Sequence, residues 1–183
     1  TITDSTFTGN KASDYGGAIY NWSTANINII ANESDTTFTG NTTGGVSNAL
    51  YNNNGTANLN AADGHKIVFN DGIDGSNGTI NINRVNEIDG VQAPTSGTVE
   101  INNEVKNNTV NMYNGTLLFG TNTQNGTLYT GTLADNVDFN YMGGTVSLQN
   151  GGINSANLGN LTLNSDMDLR LDANLADKTM DTI

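Results

Sequence analysis

The chain of 183 residues could form one or two ordinary domains, yet only 35% of it is hydrophobic and 13% charged, with 22 glycines and one proline. A net charge of −12 and the lack of any cysteine exclude nucleic acid and anionic membrane surfaces as main partners, and with them disulfide frameworks and thiolate chemistry. Low charge separates the chain from typical disordered sequences, and no apolar run approaches the roughly 20 residues that span a bilayer as a helix.

The first predicted strand and turn, Thr6-Phe7-Thr8-Gly9-Asn10, return as Thr37-Phe38-Thr39-Gly40-Asn41, and Phe69 follows Phe38 at the same interval. Ala18-Ile19-Tyr20-Asn21 returns as Ala49-Leu50-Tyr51-Asn52, and Thr24-Ala25-Asn26-Ile27-Asn28 as Thr56-Ala57-Asn58-Leu59-Asn60. Self-similarity at such a period marks a stacked architecture, in which each unit buries its apolar side only against its neighbours. Period-two alternation then continues through Thr79 to Ile82, Thr98 to Ile101, Thr109 to Met112, Thr145 to Leu148 and Leu161 to Leu163. These short half-buried strands are separated by Asn-Gly, Asp-Gly and Gly-Gly turns, and no window shows a helical period.

Threonines at the strand starts carry a second, shorter rhythm, with Thr109, Thr127, Thr145 and Thr162 recurring at nearly constant intervals. The predicted fold is therefore all-β, with little or no helix: a parallel β-helix of about eight coils, right-handed by the usual chirality of parallel crossovers. Residues 1–77 would form wide coils of about 31 residues and residues 78–183 tighter coils of about 18 residues, in one continuous segment of a longer chain. Phe7, Phe38 and Phe69 should stack inside as a ladder, with Asn10 and Asn41 bonding from coil to coil at the following turn.

Phe7-Thr8-Gly9-Asn10 followed by Gly16-Gly17-Ala18-Ile19 resembles the paired FxxN and GGA(I/L/V) motifs of chlamydial polymorphic outer-membrane proteins and related bacterial autotransporter passengers. The second unit keeps Phe38 and Asn41 but has Gly44-Gly45-Val46 before Ala49 and Leu50, and the third has Gly72 where the Asn should fall. The resemblance covers residues 1 to about 73. It implies a right-handed parallel β-helix exported through a C-terminal outer-membrane barrel of the full-length chain, displayed on the surface of a Gram-negative cell or released. It also implies an adhesin or scaffold more often than an enzyme, with a surface protein or glycan of a host or neighbouring cell as partner. Any leader or barrel would lie outside this segment.

A carbohydrate-active β-helix enzyme is the alternative, and would need two carboxylates across a groove and a cation; Asp71 with Asp74, Asp135 with Asp138, and Asp166 with Asp168 and Asp172 are the candidates. Solvated turn carboxylates are the simpler reading. Asp71 to Asn77 is oxygen-rich, but its order fits neither an EF-hand loop nor a calcium β-roll, and the sole histidine, His65, cannot build a zinc site alone, so neither metal nor cofactor is expected. Trp22 reads as an exposed platform for a sugar ring or, alternatively, as the cover of an internal stack of Tyr20 on Tyr51. With binding expected where the repeat is broken, the candidate surface comprises Trp22, Gly44, Asn54, Asp71, Asp74 and Asn77. A coil stack also has open strand edges, so homo-oligomers by end-to-end or lateral association are a further expectation.

Overall fold

Alternation leaves each short strand with one face to bury and no partner within its own coil, and the chain meets this constraint by laying coil upon coil. The computed structural model describes residues 1–88 and 90–183, and these wind as an all-β parallel solenoid without a helix among them. Each coil contributes to three faces. The first holds Ile2–Thr3, Asn26–Ala31, Thr56–Ala61, Gly78–Ile82, Asn108–Met112, the end of Thr132–Tyr141, and Leu158–Leu163. The second is a 7-stranded sheet of Thr6–Thr8, Thr36–Thr39, Lys66–Phe69, Thr98–Ile101, Thr116–Phe119, Thr145–Ser147 and Asp168–Arg170. The third stacks Ile19–Trp22, Leu50–Asn53, Ile73–Ser76, Glu104–Val105 and the start of Thr132–Tyr141, on which Leu158 lies. At the usual strand spacing, the seven rungs of the second face extend about 29 Å.

On the second face the wide coils expected over residues 1–77 are present, whereas the uniformly tight coils expected after them are not. On the second face Phe7 pairs with Phe38 and Phe38 with Phe69, at equal intervals along the chain, but Thr98 pairs with Thr116, Thr116 with Thr145 and Thr145 with Asp168, three intervals that all differ. Only the step from Thr98 to Thr116 has the short length expected. Thr109 lies on the first face and pairs with Thr79, Thr145 lies on the second, and Thr127 belongs to an antiparallel hairpin of Thr121–Gln124 with Thr127–Thr130 that leaves the stack altogether. A threonine at a strand start marks an outward position on any face, so its recurrence does not measure a coil.

The ladder of rings does form. Phe7 and Phe38 stack with centroids 4.8 Å apart and planes 5° from parallel, and Phe38 and Phe69 at 4.5 Å and 1°. Ile101 and Phe119 continue the row by register, and Ile67, Val99, Leu117 and Val146 fill the parallel inward row. On the outside of the first face, asparagines form a second ladder: Asn58 donates to Asn28, Asn81 to Asn58, Asn111 to Asn81 and Asn140 to Asn111, each at 2.9 to 3.0 Å. Within the row, one amide per rung thus satisfies one neighbour with its N–H and the other with its carbonyl.

The paired glycines of the first coil have a packing reason. Gly17 lies against the next coil, where an added Cβ would fall 2.5 Å from the Thr42 nitrogen and 2.7 Å from the Asn48 carbonyl oxygen, whose acceptance of the Gly17 N–H at 2.9 Å joins the coils. Any larger residue would push the two coils apart.

Phe38 is fully buried, so Phe38→Ala should lower the unfolding free energy by about 3 to 5 kcal/mol, measured by urea denaturation. Thr8→Ala, on the exposed side of the neighbouring strand, should stay within about 0.5 kcal/mol of the parent.

Candidate functional site

In the strand Ile19–Trp22, alternation sends Ile19 and Asn21 inward, so Tyr20 and Trp22 point out; one coil on, Leu50 and Asn52 point in and Tyr51 out. The internal stack of Tyr20 on Tyr51 is therefore corrected: inward positions are taken by the aliphatic and amide residues of the same repeat. Tyr20 pairs with Tyr51 in register, Trp22 pairs with Asn53, and Tyr15 leans in from the preceding loop. The four rings touch in sequence, with Tyr15 and Tyr20 centroids 5.3 Å apart, Tyr15 and Tyr51 4.6 Å, Tyr20 and Tyr51 5.8 Å, and Tyr20 and Trp22 5.5 Å. Trp22 remains 61% exposed, Tyr15 48% and Tyr20 40%, a concentration of aromatic surface unusual for so polar a chain.

Tyr51 also opens a groove of about 470 Å³ that runs across later coils and is lined by Ser76, Asn77, Asn107, Thr109, Asn136 and Asp138 among others. Its amides are held before any ligand arrives: Asn136 donates to Asn107 Oδ1, and Asn107 donates to Asp74 Oδ1 at 2.7 Å. Below it, the Asn21 amide donates to Asn52 at 2.8 Å and Asn52 reaches past Gly75 to Asn108 at 3.2 Å. Gly75 is needed there, because an added Cβ would fall 2.7 Å from the Asn108 amide nitrogen.

The sequence-predicted surface divides accordingly. Trp22 stands on the aromatic shelf, Asn77 lines the groove, and Asn53 bridges to Asn77, which makes the two regions contiguous. Asn54 is an exposed left-handed turn residue at φ 53° beside them, whereas Gly44 lies in the separate turn joining Thr42–Thr43 to Val46–Ser47. Asp74 faces a second cleft of about 330 Å³ with Glu104, Lys106 and Tyr129, its Oδ2 lying 3.6 Å from Lys106 Nζ.

Asp71 is not a surface group. It is fully buried and accepts from the Gly40 and Asn41 backbone N–H groups at 2.9 Å, the Asn41 amide at 2.7 Å, the Ser47 hydroxyl at 3.3 Å and the Gln124 amide at 2.9 Å. Asn10 donates to Asn41 at 2.8 Å in the same row, so Asp71 is the third rung of the Asn10 and Asn41 ladder. It arrives two residues after Phe69, whereas each asparagine comes three after its Phe, and this shortened turn is why Gly72 appears to occupy the rung in a fixed-spacing alignment. Gln124 lies in the hairpin, which folds back to an earlier coil to supply a donor.

Sequence does not single out Tyr15, Asn107 and Asn136, and one of its two readings of Trp22 puts Tyr51 inside, although strict alternation from Ile19 and Leu50 marks Tyr20 and Tyr51 as outward. Burial pushes the Tyr51 phenol above its ordinary value, and Asp74, Tyr15 and Tyr20 add to the shift, so it stays a neutral donor beyond the ordinary tyrosine value. A raised phenol in the folded state means that the unfolded chain releases this proton first, so stability should fall as pH climbs from the ordinary tyrosine value toward the folded one. In an absorbance titration of phenolate, Tyr51→Phe should remove a late-ionising component; an unchanged late limb would contradict the placement.

Residues 4–21 match the model of the Chlamydia polymorphic membrane protein repeat, a span that holds Phe7, Asn10, Gly16 to Ile19 and the shelf residues Tyr15 and Tyr20. No curated protein and no solved structure matches the chain significantly. The first coil is thus built on a repeat similar to that of the chlamydial polymorphic membrane proteins.

Proposed function

We propose that this chain is a surface-displayed segment of an exported outer-membrane protein, in which the solenoid serves as a scaffold and its third face as an adhesive surface. The observation that carries the reading is the match of residues 4–21 to a membrane-protein repeat, in the coil that also presents Trp22 and Tyr20 to solvent. A stack locked by side-chain ladders suits such a role, because a rigid body presents a binding face without paying to order it. The net charge of −12 weighs against nucleic acid as the partner, and the adhesive reading takes proteins or glycans of another cell surface instead. Attachment through a C-terminal barrel of the full-length chain belongs to the same proposal.

On intact cells producing the full-length protein, an added protease should digest this segment and an antibody to it should label the surface. Protection until the cells are lysed would sink the surface reading.

The second cleft favours one other reading, a carbohydrate-active enzyme, since Asp74, Glu104 and Lys106 bring two carboxylates and a cation to one face. That reading expects new reducing ends or unsaturated products from a polysaccharide, abolished by Glu104→Gln. Cleavage that survives this substitution would remove the cleft as its source.

A further inference from the structure

We infer that the aromatic shelf and the groove that continues from Tyr51 form one binding site for an uncharged oligosaccharide lying along the coil axis. The inference rests on the adhesive reading for its setting, and supplies the class of ligand. Its chemistry comes from the two halves of the site. Pyranose rings present apolar C–H faces and a rim of hydroxyls, so a saccharide site needs exposed aromatic faces together with directed donors and acceptors. Tyr15, Tyr20, Trp22 and Tyr51 supply the first, and the amides and hydroxyls of Ser76, Asn77, Asn107, Thr109 and Asn136 supply the second, with Tyr51 in both.

Charge selects among saccharides. Among the described residues, the groove lining holds one carboxylate, Asp138, and neither lysine nor arginine, on a chain of net charge −12. A sulfated or uronic-acid chain would meet repulsion with no lining cation to offset it, while a neutral chain loses nothing. Shape supports the same occupant. Lining residues come from successive rungs about 4.8 Å apart, so an extended polymer following the axis meets a polar group at each rung. The mutual bonds of Asn107, Asn136 and Asp74 fix that lining in advance.

Trp22 is the only tryptophan, so its fluorescence reports on the shelf directly. Titration of the intact chain with neutral hexasaccharides of glucose and of N-acetylglucosamine should shift or quench this emission saturably, and a heparin-derived hexasaccharide should leave it unchanged. Tyr20→Ala, which keeps the reporter, should weaken the neutral ligand about tenfold. Asn136→Asp should weaken it as well while leaving the circular dichroism spectrum unaltered. Silence with both neutral probes, or equal response to heparin, overturns the inference. Cell adhesion that is lost in Trp22→Ala yet survives enzymatic deglycosylation of the target cells would also overturn it, in favour of a protein partner, and would leave the adhesive reading standing. Saturable binding to the free hexasaccharides without adhesion to cells would do the reverse.

Discussion

The structure depends on register between coils. A strand of a few residues has too little apolar surface to hold itself in place, so its position is set by what lies directly above and below. Parallel pairing places like residue over like: Phe7 on Phe38 on Phe69 inside, Asn28 on Asn58 on Asn81 outside. A one-residue slip would turn every ring of the first row to solvent and every amide of the second into the core. The two ladders therefore resist the same error from opposite sides, one through burial and the other through hydrogen bonds.

The ladder at the turn, exposed at Asn10 and buried at Asn41 and Asp71, shows how such a row can end. Asn10 and Asn41 each donate toward the next coil, Asn41 also accepts from Asn10, and a third asparagine would leave its own N–H groups in need of acceptors. Asp71 only accepts when ionised, and it gathers five donors without a basic side chain among them. Gln124 is the donor that closes the row from the far side, which ties the hairpin to a coil laid down well before it in the chain. An excursion from the stack is thereby made part of its stabilisation.

How much of this was legible follows from what a sequence encodes directly. Phe7, Phe38 and Phe69 share a spacing and a chemistry, so their ladder could be read, and with it the solenoid. Asp71 could not, because a turn shortened by one residue and a change from amide to carboxylate together hide the equivalence. The threonine rhythm misled for a complementary reason: Thr109, Thr127 and Thr145 occupy a first-face strand, a hairpin and a second-face strand, and alternation alone does not say which face a strand joins. The groove was equally hidden, since Asn107 and Asn136 meet Asn77 only through stacking of coils whose lengths differ.

The aromatic shelf alters the relation between repeat and site. Breaks in a repeat are natural places to seek specificity, because repeated residues are held by packing; yet Tyr20 and Tyr51 occupy the same position of the segment that the two units share, Ala18 to Asn21 and Ala49 to Asn52. Period two resolves the conflict. Inward letters of a coil are constrained by the core, while outward letters are constrained only by solvent and by their neighbours on adjacent rungs. The outward row through Tyr20 and Tyr51 continues in register to Asp74 and then to the position beside it held by Lys106, passing from aromatic to charged while the inward row stays aliphatic throughout as Ile19, Leu50, Ile73 and Val105. A solenoid can thus change its surface chemistry rung by rung without disturbing the core that aligns it, and the shelf and the neighbouring charged cleft are two segments of that one row.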